Sequence, residues 1–239
     1  MTSKFNGPLS MALAFGTAAT LLTACSTGGQ KLTKSGFLPQ YEHLQSPQKK
    51  RNVALWIAPD YTVSRYETVT VEDIEWRAPR RDAKTEAMLR TAFRDRLIEA
   101  LSPQYRVVLP TQADATTLRV RGAITGVRRT RWFLNAPLQA VTFAAGGLGV
   151  LAPLRGGGTE EIQVEDARSG KPVVQMVTYR NGQPWNVKGS YVAYDHARQA
   201  FDDAAEILTG YLADPKTAVM ETEREKRLDS PIPKRKRSK

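Results

Sequence analysis

A single cysteine, Cys25, stands within a stretch in which no side chain is charged from Phe5 to Gln30. With one thiol in 239 residues no internal disulfide can form, so the domain that follows must be stable on packing alone. The apolar run inside the stretch, Met11-Ala12-Leu13-Ala14-Phe15 through Leu21-Leu22, is short of the roughly 20 apolar residues that a spanning helix needs. Behind the weakly basic start supplied by Lys4 and the free amine, it has the size of a signal-peptide core.

Leu22-Thr23-Ala24-Cys25 resembles the lipobox of bacterial lipoprotein signal peptides. A large aliphatic side chain lies three residues before the cysteine, and small residues fill the two positions between. That pattern suits a peptidase pocket for the aliphatic group, an accessible scissile bond between Ala24 and Cys25, and a thiol that accepts lipid. The expected product is anchored to a membrane through lipid on Cys25 rather than spanning it. Ser26 follows the cysteine. By the sorting rule of Gram-negative lipoproteins, the absence of aspartate there points to the outer membrane, facing the periplasm, with the inner membrane as the alternative.

Four segments follow from composition. Residues 1–24 are the signal peptide, 25–51 a lipidated tether, 52–214 an α+β periplasmic domain and 215–239 a disordered basic tail. Apolar residues make up 41% and charged residues 25% of the chain, ordinary values for a globular domain. Net charge is +11, falling to +10 once Lys4 is removed with the signal peptide. The tail holds nine basic and four acidic residues, so half of that excess lies outside the domain and nucleic acid is not an expected partner. Within the tether, Gly36-Phe37-Leu38-Pro39-Gln40-Tyr41-Glu42-His43-Leu44 is too apolar to stay solvated. Phe37, Leu38, Tyr41 and Leu44 are expected to pack on the domain.

Strands are expected at Val53–Ala58, Thr68–Trp76, Tyr105–Leu109, Leu118–Arg129, Thr159–Asp166 and Pro172–Tyr179, from β-branched alternation and flanking turn residues. In the fourth, Leu118, Val120 and Ile124 point inward and Arg119 and Arg121 outward. Amphipathic helices are expected at Thr85–Leu101 and Tyr191–Ala213. The order β-β-α-β-β-β-β-α predicts a single antiparallel or mixed sheet with two helices packed on one face.

Three features are similar to the uncharacterised bacterial lipoprotein family known as domain of unknown function 3313. They are Gly36-Phe37-Leu38-Pro39-Gln40-Tyr41 shortly after the cysteine, the strand end Trp76-Arg77 before the first helix, and Trp185 leading into the Ala/Phe-rich final helix. The resemblance covers about residues 25–213 and leaves out the basic tail. It implies a lipoprotein and carries no assigned activity.

No catalytic, cofactor or metal set emerges. His43 and His196 lie in unrelated segments without metal spacing. Asp202, Asp203 and Glu206 fit the solvated face of the last helix. Gly147-Leu148-Gly149-Val150-Leu151-Ala152 matches a dinucleotide fingerprint in form, but Pro153 and Gly156-Gly157-Gly158 break the helix that would have to hold the pyrophosphate. The arginines Arg119, Arg121, Arg128, Arg129 and Arg131 are expected to pair across strands with carboxylates such as Glu161 and Glu165. An anionic-headgroup patch or a nucleic-acid stripe is the alternative.

Trp132–Leu154 contains 23 residues and no charge. It is read as a buried connection, as an apolar surface for an envelope protein partner or self-association through Phe143, Leu148 and Val150, or as a segment dipping into the bilayer. Within it, Trp132, Phe133 and Leu134 are expected to be buried and residues 144–149 to be interfacial. Pro231–Lys239 looks like a nuclear-import tract, which has no receptor for an exported protein. Its Lys234, Arg235, Lys236 and Arg237 are expected to contact anionic surfaces. The leading expectation is a non-enzymatic, lipid-anchored accessory or binding component of the cell envelope. An envelope hydrolase with an unidentified carboxylate site is the runner-up, and a nucleic-acid binder the third reading.

Overall fold

The computed structural model describes residues 32, 34–47, 52–130, 156–182 and 192–216. Ala24, Cys25, Phe143, Leu148, Val150, Lys234, Arg235, Lys236 and Arg237 lie outside the described residues, as do Trp132–Leu154 and Trp185.

Seven strands and two helices follow in the order β1 (Val53–Ile57), β2 (Thr68–Val71), β3 (Glu75–Trp76), α1 (Ala83–Leu101), β4 (Arg106–Val107), β5 (Thr117–Arg128), β6 (Gly157–Asp166), β7 (Pro172–Asn181) and α2 (Asp195–Ala213). They form one mixed sheet in the order β1-β7-β6-β5-β2-β4, with β3 paired to β5 beyond the end of β2. β1, β7, β6 and β5 are antiparallel neighbours. β2 is parallel to β5 and to β4, and β3 is parallel to β5. Parallel neighbours need a crossover, and α1, between β3 and β4 in sequence, supplies it. The expected α+β class and mixed sheet are present.

The strand expected over Thr68–Trp76 is two strands. Val71 pairs with Val120 and Glu75 with Ala123, so one extra residue is inserted between them. The interruption turns Ile74 into the core, where it is 1% exposed, and its carbonyl accepts a hydrogen bond from Arg90 Nε on α1. Gly122 on β5 makes the room. A Cβ there would lie 2.8 Å from Ile74 Cδ1 and 3.4 Å from Phe93 Cε1.

Helix boundaries also have local causes. α1 starts two residues earlier than expected because Asp82 caps it, its carboxylate accepting from Thr85 N at 2.9 Å. α2 starts at Asp195 rather than Tyr191, because Tyr194 takes a left-handed conformation with φ 66° that interrupts a helical path.

Both helices cover one face of the sheet. Leu89, Phe93, Leu97 and Leu101 of α1 and Phe201, Ala204, Leu208 and Leu212 of α2 join Val69, Ile74, Leu118, Val120, Ile124, Ile162 and Val164 in a single core. Phe93 and Phe201 stack across the two helices at 4.9 Å between ring centres. The predicted parity of β5 is observed, with Leu118, Val120 and Ile124 fully buried and Arg119 and Arg121 on the other face.

That other face is covered by residues 34–47. Phe37 and Leu38 are buried against Ala123 and Val177, with Tyr41 and Leu44 packed alongside, as the sequence predicted. Gln45 then exchanges two backbone hydrogen bonds with Leu55, at 2.9 and 2.8 Å, along the outer edge of β1. Packing on the sheet thus begins within the segment read as a tether. No described helix is long and apolar enough to cross a membrane.

Gly122→Ala is expected to destabilise the domain by about 1–3 kcal/mol through overpacking against Ile74 and Phe93. Adding Ile74→Val should recover part of the loss, since it shortens the side chain the new methyl meets. Denaturant midpoints of the two variants check this; a double variant no better than Gly122→Ala would place the strain elsewhere.

Candidate functional site

β6 is buried at every one of its ten positions, yet four of them carry carboxyl groups: Glu160, Glu161, Glu165 and Asp166. Strand parity sends Glu161 and Glu165 to the outer face, and Glu160 and Asp166 toward the helices with Ile162 and Val164. An unpaired charge in such a place costs several kcal/mol, so each group must find donors or lose its charge.

Glu161 finds them in the N-terminal segment. The Tyr41 hydroxyl donates to its Oε2 at 2.6 Å and the Ser35 amide to its Oε1 at 3.0 Å. The same hydroxyl accepts from the amides of Gly36 at 2.9 Å and Leu38 at 3.2 Å, so one phenol holds both ends of the turn. Gly36 has φ +78°, a conformation that glycine tolerates best. Further along, His43 Nε2 lies 2.8 Å from Gln175 Oε1, and its ring packs against Trp56.

Glu165 belongs to a ladder of charges. Arg119 and Arg121 reach it at 3.8 and 3.5 Å, and both also reach Glu72, at 3.5 and 3.7 Å. Arg121 further pairs with Glu75 at 3.4 Å, and Arg77 pairs with Glu75 at 2.9 Å. The guanidinium groups of Arg77 and Arg121 both lie over the Phe37 ring, at 5.6 and 5.5 Å. The expected cross-strand pairing of Arg119 and Arg121 is therefore observed with Glu165. Glu161 is taken by Tyr41 and Ser35 instead.

Asp166, at the hairpin end, accepts from Arg65 at 2.9 Å, Tyr66 at 3.1 Å and Ser169 at 2.8 Å. Burial opposes its ionisation, but Ser169, Tyr66 and Arg65 together hold its pKa below the usual carboxylate value. Burial, with the Asp166 hydrogen bond, pushes the Tyr66 phenol up to about 12.

Glu160 differs. It is fully buried, and among the described residues neither carboxyl oxygen has a hydrogen-bond partner. A Cβ on Gly158 would collide with Glu160 Oε1 and lie 2.8 Å from the Ala200 methyl, so the side chain folds back over Gly158 beneath α2. Burial, reinforced by the nearby Asp203 charge, raises its pKa well above the usual value, and the neutral acid is the stable form. Asp203 is raised by burial too, against the pull of Arg180, with which it pairs across to β7. Asp202, raised by burial, pairs with Arg96 of α1 at 2.8 Å. Asp202 and Asp203 thus tie α2 to its neighbours, which corrects the expectation of a purely solvated face. Glu160 belongs to no motif in the sequence, and only its parity with Ile162 and Val164 points it inward.

His196 lies on the inner face of α2 beside Gly156, where a Cβ would meet His196 Cβ at 3.3 Å. Among the described residues no group of three His, Cys, Asp or Glu side chains could hold a metal.

Tyr41→Phe removes a charge-assisted hydrogen bond to buried Glu161. It should lower stability by about 1.5–3 kcal/mol and speed amide exchange at Gly36 and Leu38. Unchanged exchange there would mean that apolar packing alone holds the segment. For Glu160 the folded-state pKa lies above the unfolded 4.5, so its stabilising contribution is complete below that value and is lost as pH rises. Glu160→Gln should therefore match the parent chain at about pH 4 and exceed its denaturant midpoint at about pH 7. A difference independent of pH would overturn the neutral-acid assignment.

Residues 33–208 match the family model described as "Protein of unknown function (DUF3313)". The chain is 25% identical over 200 residues to the "Uncharacterized lipoprotein YdcL" of Escherichia coli (strain K12), covering 77% of this chain and 89% of the relative. Among solved structures it is similar to the PelC dodecamer from Paraburkholderia phytofirmans, with TM-score 0.41 and 13% identity over 64% of this chain and 96% of that one. It is also similar to lipoprotein GNA1162 from Neisseria meningitidis, with TM-score 0.30 and 9% identity over 63% and 97%.

Proposed function

Because the chain belongs to the family described as "Protein of unknown function (DUF3313)", we propose that it is a lipid-anchored cell-envelope protein whose domain acts by binding rather than by catalysis. The anchor is lipid on Cys25, the protein sits at the outer membrane facing the periplasm, and its role is that of an accessory or structural component.

The observation that carries this reading is the docking of residues 34–47 on the sheet so soon after Cys25. Lys34 is nine steps along the chain from Cys25, a reach of about 30 Å when fully extended. A fold of this size is about 40 Å across, so lipid on Cys25 would hold the domain against the bilayer. Similarity over most of the chain to a protein named as a lipoprotein supports the same anchor. The outer-face charges are engaged with one another and with the docked segment, which favours a scaffold role for them over acid–base chemistry.

In cells, Cys25→Ser should move the protein from the membrane to the soluble envelope fraction and abolish labelling by palmitate. Retention of the serine variant on membranes after a high-salt wash would show a different anchor.

A further inference from the structure

The outer-face arginines are neutralised, but a second group of cations at one end of the sheet is not. Arg80, Arg81, Lys84 and Arg129 are all exposed. The Arg77 amide bonds the Ile124 carbonyl at 2.9 Å and Arg81 Nη2 bonds the Val127 carbonyl at 3.1 Å. The segment before α1 is thereby laid along the end of β5, two residues from Arg129. Among the described residues, Arg80, Lys84 and Arg129 make no ion pair, in contrast to Arg77, Arg119 and Arg121. The nearby acids face their own backbone: Asp82 caps α1 through the Thr85 amide, and Glu86 accepts from the Arg81 amide at 2.7 Å. The cationic groups are left facing solvent.

The docked N-terminal segment passes beside the residues that lead into this group. A Cβ on Gly36 would lie 4.0 Å from Arg77 Nη1, three residues before Arg80. We propose that the surface formed by Arg80, Arg81, Lys84 and Arg129 is the face on which the domain rests on anionic phospholipid headgroups. The proposal deepens the reading above and rests on the Cys25 anchor. Attraction to a charged bilayer falls off within a Debye length, about 8 Å at physiological salt. An unanchored patch of four cations would be weak. Anchoring within about 30 Å makes the contact effectively intramolecular, and modest attraction then suffices to fix orientation. Each cation removed should lower the docked population about fivefold.

The test uses the full lipidated chain reconstituted in vesicles of phosphatidylcholine alone or mixed with phosphatidylglycerol. With the Cys25 sulfur carrying lipid, Ala83→Cys supplies a single free thiol for an environment-sensitive fluorophore beside the patch, and Gln104→Cys supplies a control beyond the far end of α1. The expected result is a blue shift at position 83 only on the anionic vesicles. It should vanish in about 1 M salt, where the Debye length is about 3 Å, and in the combined Arg80→Gln, Lys84→Gln, Arg129→Gln variant. These exposed substitutions should leave the thermal midpoint unchanged. The shift should survive deletion of residues 231–239. Identical emission on both vesicles, equal shifts at positions 83 and 104, or loss of the shift on tail deletion would each overturn the proposal while leaving the anchor intact. So would a shift with duplex DNA and none with vesicles, which would make the patch a nucleic-acid surface. Failure of the lipidated protein to enter either vesicle would instead overturn the anchor itself.

Discussion

The burial of β6 sets the terms for the rest of the domain. Its ten residues are covered on both faces, and four bear carboxyl groups that water cannot reach freely. Glu161 is satisfied by Tyr41 and Ser35, Glu165 by Arg119 and Arg121, and Asp166 by Arg65, Tyr66 and Ser169. Each set of partners comes from a different part of the chain. The polar demands of one strand thus recruit the N-terminal segment, the neighbouring strand β5 and the β1–β2 connection into one cooperative unit. Such networks specify a unique arrangement, because shifting β6 by one residue would exchange its inner and outer side chains and orphan all of them.

Close approach between layers depends on two glycines. Gly122 admits Ile74 and Phe93, and Gly158 admits Ala200 and the folded-back carboxyl of Glu160. Both lie on the helix-facing side of central strands, where a methyl group would push a helix away. The helices are then joined by Phe93 on Phe201 and by Arg96 with Asp202. The aromatic contact supplies buried area, whereas the partly exposed ion pair adds little stability and mainly fixes how α2 lies against α1. At the sheet margin, β4 spans two residues, Arg106 and Val107, both exposed. So short an edge offers little template for pairing with another chain.

The docked segment connects fold to function. In a lipoprotein, the residues after the cysteine can act as a long leash or be absorbed into the domain. Here Phe37 and Leu38 are absorbed, under a pair of guanidinium groups. With the proposed anchor on Cys25 the leash would be short, and the domain would meet the membrane with one end rather than by free tumbling. The distribution of charge agrees with this. Arginines on the outer face are balanced by Glu72, Glu75 and Glu165, while Arg80 and Arg129 are exposed and make no ion pair among the described residues.

Several features were legible in the sequence because they depend on local pattern. Alternation in Leu118-Arg119-Val120-Arg121 determined which side chains of β5 are inward, the spacing of Leu89, Phe93, Leu97 and Leu101 determined the buried face of α1, and the apolar content of Phe37, Leu38, Tyr41 and Leu44 determined that this piece packs. The position of the lone cysteine set the expected anchor in the same way. Strand order, the parallel pairing of β2 with β5, the turn of Ile74 into the core and the fate of each carboxylate were decided only by tertiary structure. Glu160 and Glu161 are adjacent and chemically identical in the sequence. One is a bonded group under Tyr41 and the other, under α2, has no hydrogen-bond partner among the described residues, because a strand sends neighbours to opposite faces and only the assembled layers determine which donors wait there.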